Sequence, residues 1–208
     1  MAHPGQSHWD AVYERKAATE VSWYERRPEK SLELIRSAGV RATDSIIDVG
    51  AGASLLVDEL LTAGYRDLTV LDVSAAALAR LRQRLGSAAA AVTLVHEDVT
   101  AFQPVRRHVL WHDRAVFHFL VRREDRERYV AALRQGVGPG GHVLLATFGP
   151  SGPERCSGLP TMRYDAATLG AELGGDFQLV ESSLLIHRTP SDAQQQFLYC
   201  RFTRSAPR

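Results

Sequence analysis

The chain has 208 residues, the length of one domain. Apolar residues at 45% and charged residues at 24% exclude an intrinsically disordered chain, which could not bury enough apolar surface to offset its entropy. With 25 Lys+Arg against 24 Asp+Glu, the formal net charge of +1 argues against a dedicated nucleic-acid binder, whose affinity comes from a basic field over phosphates. Two cysteines, Cys156 and Cys200, are too few for a disulfide framework and read as reduced thiols of a cytoplasmic protein. Met1 to His8 holds no basic stretch ahead of an apolar run, and no segment approaches the ~20 apolar residues of a bilayer span. A soluble, intracellular protein without membrane or nucleic-acid partners is expected, as a monomer or homodimer.

In chain order, residues 1–40 read as two helices without a strand, His8–Lys16 and Pro28–Ala38. Trp9, Tyr13, Trp23 and Tyr24 concentrate aromatics there, either to staple a helical cap to the core or to wall a ligand site as a lid. A strand at 45–50 follows, then a helix at 54–63 with Ser54 as N-cap and Gly64 as stop. Leu68–Asp72 is a second strand; Ser74 caps a helix running to about Leu85. Val92–Val95 and Val109–His112 are the third and fourth strands. An amphipathic helix at 124–135 turns Tyr129, Val130 and Leu133 inward, while the mixed charges from Arg122 to Arg128 read as its solvated face. Beyond the turn at 138–141 come a strand His142–Phe148, a helix near Ala166–Leu173, and strands at Phe177–His187 and Gln194–Thr203. Strands alternating with helices predict a seven-stranded, mostly parallel α/β sheet. The last two strands lack an intervening helix, which predicts an antiparallel strand at the sheet's end. The chain is thus expected to be a single domain, with a lid at 1–40 and an α/β core at 41–208.

In open α/β sheets ligands sit at the carboxyl ends of strands, where the strand order reverses. Strand one ends Ile47-Asp48-Val49-Gly50-Ala51-Gly52-Ala53-Ser54, in which Gly50 and Gly52 allow a tight turn and close ligand approach. Leu at 55 breaks the dinucleotide pattern G-x-G-x-x-G, and no Lys-Ser/Thr ending marks a phosphate loop. Asp48, two residues before Gly50, would repel a pyrophosphate but suits an ammonium group, as on the methionyl tail of S-adenosylmethionine (SAM). Asp72 ends strand two, where a carboxylate can accept bonds from both ribose hydroxyls. Asp98 follows strand three, placed to receive an adenine amino group.

Ile46-Ile-Asp-Val-Gly-Ala-Gly, Val70-Leu-Asp-Val-Ser, His96-Glu-Asp-Val and Gly138-Pro-Gly-Gly-His-Val-Leu-Leu together resemble the successive motifs of class I SAM-dependent methyltransferases. The resemblance covers roughly residues 40–150 and implies a Rossmann-like sheet with SAM as cofactor. It implies that Asp48, Gly50 and Gly52 contact the methionyl part, Asp72 the ribose and Asp98 the adenine, with Val73 and Val99 also at the cofactor. Ser54 stands where many members have a third glycine, and its hydroxyl is expected to cap the helix.

Members place the methyl acceptor beside the fourth strand's end, here Leu110 to Leu120. The Asp113-Arg114-Ala115 step and the Trp9…Tyr13…Trp23 lid resemble thiopurine and related thiol methyltransferases. That resemblance implies that Arg114 braces the cofactor or an anionic acceptor under a lid closing over SAM, with Trp23 also near the substrate. A soft thiolate needs no strong base; for an oxygen or amine acceptor His112 or His118 could serve, with His112 also near the cofactor. Asp113 is expected to cap the helix that follows and joins His112, Arg114 and His118 as the candidate catalytic group. Five residues between His112 and His118 do not give metal-ligand spacing, so no metal is expected. In the Gly/Pro-rich loop after strand five, Cys156, Arg163 and Tyr164 are candidate substrate contacts. A further reading pairs Cys156 with Cys200 around a thiophilic species such as arsenic. The leading expectation is methyl transfer to a small molecule through sulfur or another soft atom. The alternatives are a protein lysine methyltransferase and a SAM-binding module without catalysis.

Overall fold

Strands and helices alternate through most of the chain, and helical crossovers pair strands in parallel. The computed structural model describes residues 5–206, so Met1 to Pro4 of the amino-terminal stretch lie outside the described residues. The main strands are β1 (Ile46–Val49), β2 (Leu68–Asp72), β3 (Val92–His96), β4 (His108–Arg114) and β5 (Val137–Phe148). A short ribbon, β6 (Arg155–Cys156) with β7 (Leu159–Pro160), precedes β8 (Phe177–Arg188) and β9 (Gln194–Arg204). The helices are α1 (Gln6–Arg15), α2 (Glu29–Ser37), α3 (Leu56–Thr62), α4 (Ala75–Leu85), α5 (Arg123–Gly136) and α6 (Ala166–Leu173). The seven-stranded sheet runs β3-β2-β1-β4-β5-β9-β8, with β9 antiparallel to both neighbours. This is a Rossmann-like α/β fold with one antiparallel strand.

Because β1 continues to β2 on one side and has β4 on the other, the strand order reverses between β1 and β4. That switch point is where an open α/β sheet forms its crevice. Alternation along each strand divides the core between the two sheet faces. Ile46, Leu110 and Leu144 pack with α2 and α3, whereas Ile47, Trp111 and Leu145 pack with α5 and α6. Asp48 and His112, register partners, share the first face; Asp113 is directed to the other, where it meets Tyr129.

Three boundaries differ from expectation. The fourth strand continues to Arg114 before Ala115 turns the chain at φ +73°, and a short 3-10 turn, Phe117–Phe119, follows. Helix α3 starts at Leu56, two residues after Ser54, whose hydroxyl still accepts the Leu56 N–H at 3.1 Å. Strand β5 begins at Val137, inside the glycine-rich turn, with a register break opposite His108–Leu110. Elsewhere, the Ser74 hydroxyl caps α4 by accepting the Ala77 N–H.

The amino-terminal segment is pinned to the core through Trp9 and Asp10 of α1. Asp10 of α1 accepts the Ser74 hydroxyl at 2.7 Å and the Ala76 N–H at 3.1 Å, both at the start of α4. Trp9 meets Phe119 edge-on at 5.0 Å between ring centres and Trp23 at 5.9 Å. At the far edge of the sheet, Leu184 and Ile186 of β8 stay exposed because no element packs outside that strand. No helix among the described residues is long and apolar enough to cross a membrane.

Candidate cofactor and active site

The turn after β1 is built for close approach. Gly50 and Gly52 have φ of +64° and +52°, a region glycine enters without steric cost. A Cβ on Gly50 would collide with the Val116 side chain, and one on Gly52 with the Tyr13 hydroxyl. Gly50→Ala therefore adds backbone strain of about 1–2 kcal/mol to a clash, and is expected to weaken cofactor binding at least tenfold by calorimetry.

Gly52 and Ser74 donate their N–H groups to the two oxygens of Asp72, at 2.7 and 2.8 Å. Burial pushes the Asp72 pKa up to about 6, against the pull of those two donors. A carboxylate that receives hydroxyl donors works ionised, so cofactor affinity is expected to fall as pH drops below about 6. Calorimetry between pH 5 and 7.5 (~the range that brackets this group) checks this, with Asp72→Asn as the variant that loses the dependence. For stability the sign is reversed: a raised folded-state pKa favours folding most below the ordinary value of 3.8, and this contribution is lost as pH rises through about 6.

Asp72, Val73, Asp98 and Val99 line one cavity with Gly50, roofed by Trp9, Tyr13 and Trp23. Asp98 accepts both the Thr100 N–H and its hydroxyl at 2.8 Å, which fixes the turn after β3. The structure thus gathers the glycine turn, the strand-end acids and the lid aromatics around one crevice. Asp48 borders an adjoining pocket with Ser54 and His112. Its Oδ1 accepts His112 Nδ1–H at 2.7 Å, and His112 Nε2 lies 2.9 Å from the Ser31 hydroxyl of α2. Asp48 Oδ2 is buried without a partner. Ser31–His112–Asp48 has the order of a hydrolase relay, but Ser31 has no exposed surface and offers no nucleophile to a substrate.

Residues 46–141 match the family described as methyltransferase domain. That segment, a little under half of the chain, is similar to a methyltransferase domain. The whole chain shares its fold with a structure reported for the conversion of a disulfide bond into a thioacetal group during echinomycin biosynthesis. That likeness has a TM-score of 0.77 and 17% identity, covering 96% of this chain and 93% of the other. The N-methyltransferase NodS from Bradyrhizobium japonicum, in complex with S-adenosyl-L-homocysteine, aligns with TM-score 0.71 and 20% identity over 96% of this chain and 100% of that one. The 1,6-didemethyltoxoflavin-N1-methyltransferase of Burkholderia thailandensis aligns with TM-score 0.68 and 20% identity over 94% and 81%. At such identities these likenesses carry the fold. A mouse eEF1A lysine and N-terminal methyltransferase is 22% identical over 96 residues, which are 46% of this chain and 14% of that protein.

Beside the crevice, Arg114 reaches across the end of β4 to hold the amino-terminal segment. Its guanidinium donates to the Trp23 carbonyl at 2.8 Å and the Tyr199 hydroxyl at 2.9 Å, and pairs with Glu25 at 3.1 Å. The other candidate catalytic residues are engaged by partners within the fold. Asp113 faces away from the crevice and accepts the Val116 and Phe117 N–H groups and the Tyr129 hydroxyl. It caps the 3-10 turn, and burial raises its pKa to about 6. His118 accepts the Phe148 N–H at 3.1 Å and stacks on the Phe148 ring at 4.2 Å. Burial, then Arg114, push its pKa down to about 3, so it stays neutral inside the core. His112 has both ring nitrogens engaged, which leaves neither for a substrate proton.

The expected substrate loop also folds differently. Tyr164 is buried against Phe117 in the α5–α6 core, and Arg163 pairs with Glu154 at 3.0 Å on the surface. Cys156 packs on the lid side, 3.6 Å from the Ser22 hydroxyl, and burial raises its pKa. Cys200 lies on the opposite sheet face, its thiol pushed up to about 12 by burial. The sheet separates the two sulfurs, so they cannot share a thiophilic ligand. No cluster of potential metal ligands occurs among the described residues. Sequence reasoning missed Ser31, Glu25, Val116 and Phe119. The positive φ of Ala115, which aims Val116 at Gly50, has no signal in an alanine.

Proposed function

We propose that this methyltransferase moves a methyl group from SAM to a small molecule through a soft nucleophile such as a thiol. The observation that carries this reading is the single roofed crevice in which the glycine turn, Asp72 and Asp98 meet the lid aromatics. The bare, buried Asp48 Oδ2 fits the ammonium of a methionyl tail, and the positive-φ turn at Gly50 and Gly52 fits a close approach of the backbone to it. In this reading Asp72 receives the ribose hydroxyls and Asp98 the adenine, with Val73 and Val99 lining the same crevice. The Tyr13 hydroxyl lies over Gly52, beside the crevice the cofactor would enter. When bound, SAM supplies an electrophilic sulfonium methyl.

The chain's own contribution is positioning and exclusion of water. On the β4 side the crevice is walled by Arg114, Ala115, Val116 and Phe119, with Trp9 and Trp23 above. Those residues include neither carboxylate nor imidazole, which favours an acceptor whose lone pair needs no strong base. A roof pinned through Asp10 and Arg114 favours a small acceptor over a folded protein. The mouse relative motivates the lysine alternative, and the near-neutral chain gives nucleic acid no basic field.

A methyl-release assay with labelled SAM across thiols, heteroaromatic amines and lysine-bearing proteins tests the reading. Label on small thiols is expected. Label confined to protein lysines would replace it with the lysine reading, and SAM binding without any labelled acceptor would favour a non-catalytic module.

A further inference from the structure

Asp48 is a buried carboxylate anchored at one oxygen. Carboxylate χ2 is a broad torsion, so a single hydrogen bond of known direction decides where the second oxygen points. His112 provides that bond: parallel pairing of β1 with β4 places it directly beside Asp48, and Nδ1 reaches Oδ1 at 2.7 Å. The imidazole is fixed in turn by Ser31 of α2, whose hydroxyl lies 2.9 Å from Nε2. All three side chains are buried, and Oδ2 is left without a partner where the pocket between β1, β4 and the lid segment begins. Packing alone would not select this chain. Apolar residues fill such space without the desolvation cost of three polar groups, and a carboxylate oxygen buried without a donor costs more still. The arrangement is costly in the empty protein and becomes favourable when a cationic group meets Oδ2.

We propose that Ser31 and His112 are positioning residues that aim Asp48 Oδ2 at the ammonium of the cofactor's amino-acid tail. Through Ser31, helix α2 of the amino-terminal segment takes part in reading that tail. This rests on the SAM reading above.

The test compares two ligands by calorimetry: S-adenosyl-L-homocysteine, and 5′-methylthioadenosine, which keeps the nucleoside and thioether but lacks the amino-acid tail. His112→Leu is expected to weaken homocysteine-adduct binding about 10–100-fold and to change methylthioadenosine binding less than about twofold. Ser31→Ala is expected to act in the same direction by about 3–10-fold, and it carries the test if His112→Leu does not fold. His112→Asn, whose amide nitrogen reaches about as far as Nδ1, is expected to restore most of the tail-dependent affinity. Equal weakening of both ligands, or no change in either, would overturn the proposal by reducing the chain to a structural element. Failure of the unaltered protein to bind either ligand would instead overturn the cofactor reading.

Discussion

Asp72→Ala is expected to weaken S-adenosyl-L-homocysteine binding by about 100–10,000-fold. Two hydroxyl donors on one carboxylate are worth about 1.5–3 kcal/mol each, and every 1.4 kcal/mol is roughly tenfold in affinity. The loss has a second source, because Asp72 also accepts the N–H groups of Gly52 and Ser74. Without it, the glycine turn and the start of α4 lose the acceptor that ties them together. Asp72→Asn keeps one acceptor oxygen and the side-chain shape, so it is expected to fall between alanine and the unaltered protein. Calorimetry at pH 7.5 (~well above the Asp72 range) reads this directly. Unchanged affinity in Asp72→Ala would remove the ribose from this carboxylate.

The second large effect is on stability. Asp113→Ala leaves two backbone N–H groups and the Tyr129 hydroxyl without their acceptor in a fully buried setting. The Tyr129 hydroxyl also accepts Trp111 Nε1–H at 2.9 Å, so the loss spreads through two large core aromatics. The expected cost is about 3–5 kcal/mol, or a fall in melting temperature of roughly 10 °C or more. A catalytic aspartate would behave in the opposite way, with turnover lost and melting temperature kept. Thermal melts followed by circular dichroism separate the two. A variant that melts with the unaltered protein would return Asp113 to the candidate catalytic group.

The glycine turn and the strand-end acids of the crevice were legible because they are local. Asp48, Gly50 and Gly52 fall in one strand-to-helix turn, and Asp72 and Asp98 follow strands whose β-branched runs stand out between helices. A parallel sheet then brings successive strand ends to one edge without further information. Ser74 likewise announced α4, since capping depends on residues three apart.

The acceptor half was not legible because it depends on which way side chains point and on contacts between distant segments. His112 and Asp113 are neighbours in sequence, yet strand alternation sends one to Asp48 and the other to Tyr129. Extending β4 by two residues beyond the expected end carries that alternation through Asp113, where the sequence predicts the cap of a helix. Ser31 reaches His112 from 81 positions earlier in the chain, with no pattern to announce it. Tyr164 and Cys156 look like loop residues in the sequence but are drawn into opposite cores.

The central claim is that the crevice at the β1–β4 switch point holds SAM. Titrating the folded, unaltered protein with S-adenosyl-L-homocysteine in a calorimeter tests it most directly. One-to-one binding in the micromolar range, competed by SAM, is the predicted result. Absence of heat with either ligand up to millimolar concentration, in a sample whose melting curve shows it folded, would contradict it.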